Sequence, residues 1–276
     1  MTMLYFAKMH GLGNDFMVID GVSQAIDLSP ELIKAWAHRH TGVGFDQLML
    51  VTKADSADFG YRIFNADGNE VEQCGNGVRC VARFIKHQAW SDKTILQLAT
   101  PFNVMTAQFE AHDLVSVNMA IAHFEPASLP FKVPHTLPFY DYEWYGKPLS
   151  FGAVSIGNPH IVFDVPDLAQ AEVDLIGHYF NDHHPLFPRG VNVGFMQRFS
   201  PTEIALRVFE RGTGQTMACG TGACAATVIG QKWGLLGAKV TVHLPGGDLA
   251  IACAGLDQAI YMTGPAVIVY TGQLVL

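Results

Sequence analysis

The chain has no basic run. Its 17 Lys and Arg are outnumbered by 25 Asp and Glu, for a net charge of −8. An acidic chain without clustered Lys or Arg lacks the electrostatic footprint for nucleic acid or an anionic membrane, so neither is an expected partner. No apolar run is long enough to span a bilayer. Met1 to His10 contains Lys8 but no apolar core followed by a small-residue cleavage site, so a secretory signal is not expected and a cytoplasmic location is. The five cysteines (74, 80, 219, 224 and 253) are too few, and odd in number, for a disulfide framework. Their spacings contain no CxxC redox motif and no paired Cys/His pattern for zinc, so no metal is expected. No Gly-Lys-Ser/Thr follows the glycine turns, which excludes a Walker-type phosphate loop. Finally, no charged residue lies between Arg211 and Lys232.

What is present is enough apolar residue, 49% of 276, for one large domain or two of ordinary size. Leu4 to His10 alternates weakly as a strand, and Gly11-Leu12-Gly13-Asn14 turns into a second at Phe16 to Ile19. Ser29-Pro30-Glu31 starts a helix, with serine as N-cap and proline at the first helical position. Ile33, Trp36 and Ala37 give it an apolar face, and Gly42-Val43-Gly44 ends the segment. Strands are predicted at Gln47 to Thr52 and Tyr61 to Phe64, followed by a turn over Asn65 to Asn69. After Cys74-Gly75-Asn76-Gly77, the apolar residues Val78, Val81, Ala82 and Ile85 take helical spacing, with Arg79, Arg83 and Lys86 on other faces. Antiparallel strands are predicted around Ile95 to Leu98, Val104 to Phe109 and Leu114 to Met119. Five prolines (126, 130, 134, 138 and 148) and exposed-looking aromatics then mark residues 121–148 as a connection.

Beyond it the pattern restarts. Gly13-Asn14-Asp15-Phe16 is echoed by Gly157-Asn158-Pro159-His160, an offset of 144 residues from Asn14 to Asn158. Arg62-Ile63-Phe64-Asn65 is echoed by Arg207-Val208-Phe209-Glu210, and Cys74-Gly75-Asn76-Gly77 by Cys219-Gly220-Thr221-Gly222, both at 145. At that offset Gln47 falls on Asn192. Matches in the same order at nearly one offset imply two similar domains. Residues 1–120 with the tail 265–276 form the first, and residues 121–264 the second. The tail from Ala266 to Leu276 reads as two strands around Thr271-Gly272. In the second copy Ala223 to Ile229 is apolar all round, the pattern of a helix buried within its domain.

A cysteine at a helix N-terminus meets unpaired backbone N–H groups and the positive end of the helix dipole. Both favour thiolate and can draw the pKa below about 8.5, and the same N–H groups can hold a carboxylate. Alone, either motif is more often a buried small residue or part of a phosphate-binding loop than a catalytic thiol. Recurrence at matching places favours a symmetric acid/base pair, suited to inversion at carbon: one thiolate removes an α-proton and the thiol opposite delivers one. Cys80, Cys224 and Cys253 sit in apolar surroundings as core residues.

The polar residues near the matches are mostly amides: Asn14, Gln47, Asn65, Asn158 and Asn192. Glu210-Arg211 stands where the first copy has Asn65-Ala66, and His160 where it has Phe16, so symmetry breaks at both places. Glu210 and Arg211 suit an amino acid's ammonium and carboxylate, or form a surface ion pair. His160 is either a satisfied core histidine or a base that sets a thiol's charge.

Together, Gly11-Leu12-Gly13-Asn14-Asp15-Phe16, Asn65-Ala66-Asp67-Gly68 with Cys74 to Cys80, Gly157-Asn158-Pro159-His160, and Glu210-Arg211-Gly212 through Ala218 to Ala225 resemble the diaminopimelate epimerase family over nearly the whole chain. The resemblance implies an α/β (α+β) fold of two pseudo-symmetric domains. Each would be a mixed, mostly antiparallel sheet wrapped around a central helix, with the active site in the cleft between them. It implies a cofactor-independent isomerase that interconverts LL- and meso-diaminopimelate for lysine and peptidoglycan precursors. Cys74 and Cys219 would transfer the protons, with His160 and Glu210 tuning the thiols. Asn14, Gln47, Asn65, Asn158, Asn192, Glu210 and Arg211 would recognise substrate, and Gly75-Asn76 with Gly220-Thr221 would hold the reacting carboxylate. Domain closure and a homodimer with Tyr270 as a contact are implied as well. One departure is Gln215, where the family pattern leads us to expect glutamate. The alternatives are a proline or hydroxyproline racemase, whose substrate has no distal ammonium and carboxylate to meet Glu210 and Arg211, a thiol redox protein, and a non-enzymatic module for small anions.

Overall fold

The computed structural model describes residues 3–71, 75–182 and 184–276. In chain order its strands and α-helices are β1 (Met3–Gly11), β2 (Asn14–Asp20), α1 (Pro30–Ala37), β3 (Gln47–Thr52), β4 (Phe59–Asn65), β5 (Glu70–Val71), α2 (Gly75–His87), β6 (Ile95–Ala99), β7 (Val104–Phe109) and β8 (Leu114–Ile121). There follow β9 (Tyr140–Trp144), β10 (Lys147–Ser155), β11 (Pro159–Asp164), α3 (Val173–Asn181), β12 (Asn192–Ser200), β13 (Glu203–Glu210), β14 (Gly214–Gln215), α4 (Gly220–Lys232), β15 (Lys239–Leu244), β16 (Gly247–Cys253), β17 (Ala259–Pro265) and β18 (Val267–Val275). The chain divides into two compact units, Met1–Asn118 with Thr263–Leu276, and Met119–Met262.

In the first unit β1 and β2 pair antiparallel, β2 and β3 parallel, β3 and β4 antiparallel, and β4 and β6 parallel. In the second, β10 and β11 pair antiparallel, β11 and β12 parallel, β12 and β13 antiparallel, and β13 and β15 parallel. The registers correspond as well. Leu48 faces Phe64 across β3 and β4, and Val193 faces Phe209 across β12 and β13. The sequence repeat is therefore also a repeat of topology.

Each unit has one short outer helix and one longer inner helix. In the first, Ser29 caps α1 by accepting from the Leu32 N–H at 3.2 Å, and Pro30 occupies the first turn, where no N–H is needed. Ile33, Trp36 and Ala37 of α1 pack with Leu48, Leu50 and Phe64 of the sheet. The inner helix α2 contacts β1, β2, β3, β6, β7 and β18, so the sheet curls around it. In the second unit α3 lies over β12, β13 and β14, and α4 contacts β10, β11, β12, β13 and β16. A side chain at Gly177 of α3 would strike the Phe209 ring within 2.6 Å, so glycine sets how closely that helix seats. Helix α4 is buried from Gly222 to Gly230, as its lack of charge predicts.

Three details differ from the expectations. The tail is one strand, not two. It pairs antiparallel with β1 from Val275 opposite Met3 to Val267 opposite His10, and its irregularity lies at Val269, where the register shifts between Tyr270 and Ile268. The glycine at 272 continues in register opposite Phe6, whose ring fills the space where a side chain would stand. Secondly, Leu129, Phe131, Tyr140 and Trp144 of the 121–148 segment are buried in the aromatic core of the second unit, with Phe151, Phe180, Phe187 and Phe195. Ring packing, such as Phe131 stacked on Phe187 at 4.4 Å, ties this segment to the α3 face. Thirdly, Arg79 is fully buried, its Nε donating to the Pro265 carbonyl at 3.2 Å, whereas Arg83 pairs with Asp113 and Lys86 lies over the Phe109 ring.

Candidate active site

Topology gathers the predicted polar residues at one end of each sheet. In the first unit β2 starts at Asn14, its parallel neighbour β3 starts at Gln47, and the antiparallel β4 ends at Asn65. The inner helix α2 begins soon after, at Gly75. Cys74 lies outside the described residues. Gln47 Nε2 donates to Asn65 Oδ1 at 2.9 Å, and Gln47 Oε1 is buried with no partner among the described residues. Asn14 Nδ2 donates to Asp46 Oδ2 at 3.0 Å, and Asn76 Nδ2 to Asn14 Oδ1 at 3.4 Å. Gly75 and Asn76 are buried in the first turn of α2.

The second unit repeats the arrangement with different chemistry. Here the strand ends supply His160, Asn192 and Glu210, and α4 starts at Gly220 with Cys219 as its N-cap. Asn158, on the turn before β11, donates through Nδ2 to Thr221 Oγ1 at 3.3 Å. Its Oδ1 lies 3.0 Å from His160 Nε2, so that nitrogen carries the proton. His160 Nδ1 is then a bare acceptor, buried and without a partner among the described residues. Complete burial, with the nearby Arg211 charge, pushes the His160 pKa down to about 3 and keeps the ring neutral. Asn192 donates to the Pro159 carbonyl at 2.9 Å and accepts from the Arg211 N–H at 3.0 Å, so it fixes the chain just where Glu210 and Arg211 leave β13. The Arg211 guanidinium donates to the Arg189 carbonyl at 3.2 Å.

Cys219 is 3% exposed. The Glu210 carboxylate acts on its thiol as a nearby negative charge, and its sulfur lies 3.7 Å from Thr221 Oγ1. Thr216 Oγ1 donates to the same Glu210 carboxylate. A side chain at Gly222 would lie 2.8 Å from Val208 and 3.2 Å from the sulfur, so glycine leaves room for the sulfur there. Of the expected thiol and thiolate pair, Cys219 has the surroundings of the thiol. Burial and the Glu210 charge push the pKa well above its ordinary value, outweighing the Thr221 hydroxyl and the Gly222 N–H, which lower it. A helix N-terminus favours an anion only when burial and a nearby carboxylate do not oppose it more strongly.

The sequence reading missed the ion-pair network behind Asn14. Arg39 holds Asp15 with two hydrogen bonds at 2.9 Å and reaches Asp46 at 2.7 Å, while Lys8 pairs with Asp15 from the other side. The available signal was the recurrence of Asp beside each amide, in Asn14-Asp15 and Asp46-Gln47. Gln215 also has a role. Its Oε1 accepts from Arg207 at 2.7 Å while its Nε2 donates to Asp174 of α3 at 2.8 Å, a link that a glutamate would replace by carboxylate repulsion. Tyr270, on β18, is 46% exposed. Cys80, Cys224 and Cys253 are buried, and Cys253 donates to the Gly255 carbonyl. Among the described residues no His, Cys, Asp and Glu cluster is arranged to hold a metal, and no helix is long and apolar enough to cross a membrane.

The family model described as diaminopimelate epimerase matches residues 6–124 and 152–269. A relative from Nitrosomonas europaea (strain ATCC 19718 / CIP 103999 / KCTC 2705 / NBRC 14298), named diaminopimelate epimerase, is 49% identical over 272 residues, covering 98% of each chain. Among solved structures, a phenazine biosynthesis protein of the PhzF family from Bacillus anthracis superposes with a TM-score of 0.70 at 16% identity, covering 100% of both chains. A hydroxyproline epimerase from Agrobacterium vitis, with bound trans-4-hydroxy-L-proline, gives 0.70 at 16% identity over 99% of this chain and 93% of its own. At that identity the two structures speak to the fold alone.

Proposed function

Because the chain belongs to the diaminopimelate epimerase family, we propose that it interconverts LL- and meso-diaminopimelate by proton transfer between two cysteines, Cys74 and Cys219, with no organic cofactor. The observation that carries this reading is the Cys219 site. A thiol at the N-cap of a buried helix is held protonated beside a carboxylate. Such a thiol is an acid ready to deliver a proton to carbon, and it implies that its partner starts as the base. Cys74 precedes the matching helix α2 and is assigned that role. As the α-proton leaves, N–H groups at Gly75-Asn76 and Gly220-Thr221 stabilise the developing charge on the substrate carboxylate. Asn65, Asn158, Asn192, Glu210 and Arg211 recognise the unreactive amino-acid end, with Asn14 and Gln47 completing the polar set. To the bare Nδ1 of the neutral His160 we assign the part of a hydrogen-bond acceptor that tunes a thiol.

The domain division proposed is 1–120 with 265–276, and 121–264. We also place the protein in the cytoplasm, where its thiols stay reduced, and propose a homodimer. The dimer is supported by the exposed apolar side chains of β1 and β18, with Tyr5 at 55%, Val269 at 55%, Tyr270 at 46% and Val275 at 61%.

The test is incubation of reduced protein with LL-diaminopimelate in deuterated water. Deuterium at one α-carbon with loss of the LL configuration is expected. Folded, reduced protein that exchanges no deuterium would overturn the assignment. Cys74→Ala and Cys219→Ala are each expected to abolish epimerisation, and near-full turnover by either would exclude the two-base scheme.

A further inference from the structure

The two matching asparagines are held in opposite senses. Asn158 has its carbonyl oxygen engaged by an imidazole N–H. Asn14 has its nitrogen engaged by a carboxylate: Nδ2 lies 3.0 Å from Asp46 Oδ2. A carboxylate accepts hydrogen bonds and repels oxygen, so Asp46 permits only one of the two amide orientations. That orientation turns Asn14 Oδ1 away from Asp46 and towards the first turn of α2, where Asn76 donates to it at 3.4 Å.

Asp46 is itself fixed. Its Oδ2 also accepts from the Asp15 N–H at 3.2 Å, and its own N–H donates to Asp15 Oδ1 at 2.9 Å. Arg39 reaches its Oδ1 at 2.7 Å while gripping Asp15 with both terminal nitrogens. Lys8 neutralises Asp15 from the other side. Two adjacent carboxylates are thus tied by two cations and by a reciprocal pair of backbone bonds. Gln47, next in sequence to Asp46, is turned the same way. Its nitrogen donates to Asn65, and its buried Oε1 has no partner among the described residues. At this sheet end both amides thus have the nitrogen tied back, Asn14 to a carboxylate and Gln47 to Asn65.

We propose that Asp46, braced by Arg39 and Asp15, is a positioning residue that locks the amide orientation of Asn14, one of the substrate-recognition residues, with its carbonyl oxygen turned to the first turn of α2. The proposal rests on the epimerase reading above. The second unit has no equivalent: Val191 stands at the place of Asp46 and Pro159 at that of Asp15. The lock thus belongs to one half of the repeat and helps distinguish the two halves.

An exchange of partners tests it. Asp46→Asn leaves two amides face to face, free to pair in either orientation. Its KM for LL-diaminopimelate is expected to rise about tenfold with kcat within about threefold. Asn14→Asp sets two carboxylates against each other and is expected to raise KM further. The double variant Asn14→Asp/Asp46→Asn restores a donor at 46 against an acceptor at 14, with an oxygen at 14 still turned to the first turn of α2. It is expected to recover KM to within about threefold of the parent, a strong non-additivity. Arg39→Met, a change at a largely exposed side chain, is expected to raise KM about threefold, and it serves should Asp46→Asn fail to fold. An unchanged KM in both Asp46→Asn and Arg39→Met, or a double variant equal to the product of the singles, would overturn the lock. Parent protein without deuterium exchange would instead sink the epimerase reading itself.

Discussion

The carboxylate of Glu210 stands near enough to the buried thiol of Cys219 for its charge to act there, and burial and that charge together hold the sulfur protonated. Both residues stand where the second sheet ends and its inner helix begins. The carboxylate raises the thiol's pKa, so removing its charge must lower it. In Glu210→Gln the pH profile of Cys219 alkylation is expected to move to lower pH, read by mass spectrometry in a Cys74→Ala background. Turnover of Glu210→Gln in the parent background is expected to fall at least about a hundredfold, because the acid has lost the group that keeps it protonated. An unmoved alkylation profile would show that the carboxylate does not govern the thiol.

Asp15 is expected to make stability depend on acid. Burial acts to raise its pKa, but the Arg39 and Lys8 hydrogen bonds and charges outweigh it and hold the carboxyl down to about 2. The ordinary value is 3.8. A depressed carboxylate contributes stability that is fully present above its unfolded pKa and is lost as pH falls through its folded pKa. The window is therefore about pH 4 down to about pH 2. Asp15→Asn should cost on the order of 1–2 kcal/mol near neutral pH, measured by urea denaturation. The gap from the parent should narrow across that window, and a gap constant down to pH 2 would refute it.

Much of this was legible in the residues, because a repeat forces topology to repeat. Asn14, Gln47 and Asn65 were readable as a set, and parallel β2 and β3 with antiparallel β4 bring their positions to one sheet end. The partners that set each group's charge were not legible. Nothing local in Ala218-Cys219-Gly220 announces that the Glu210 charge acts on the sulfur, since that proximity depends on β13 running beside α4. The buried aromatics of the 121–148 segment were hidden for a related reason. Proline spacing reports turns, whereas the burial of Phe131 and Tyr140 depends on Phe187 and Phe151, which lie elsewhere in the chain. The strand break expected at Thr271-Gly272 failed because pairing with β1 overrides a glycine's local preference.

His160 supplies the last prediction. Burial first, and the Arg211 charge second, push its pKa down to about 3 from the ordinary 6.5. The unfolded chain binds a proton there below about pH 6.5, while the folded protein refuses it until about pH 3. Stability is therefore fully present above pH 6.5 and falls as the pH drops from there to about 3. His160→Gln keeps a polar side chain at the Asn158 position but removes the titration. Its denaturation free energy should depend less on pH between about 6.5 and 3 than the parent's does, although it is lower at neutral pH. Nitrogen NMR of labelled parent protein should find the His160 ring neutral at pH 5, with the proton on Nε2, as the bond to Asn158 requires. A ring that takes up its second proton near pH 6.5 would show that the site is open to water and that burial does not hold the ring neutral.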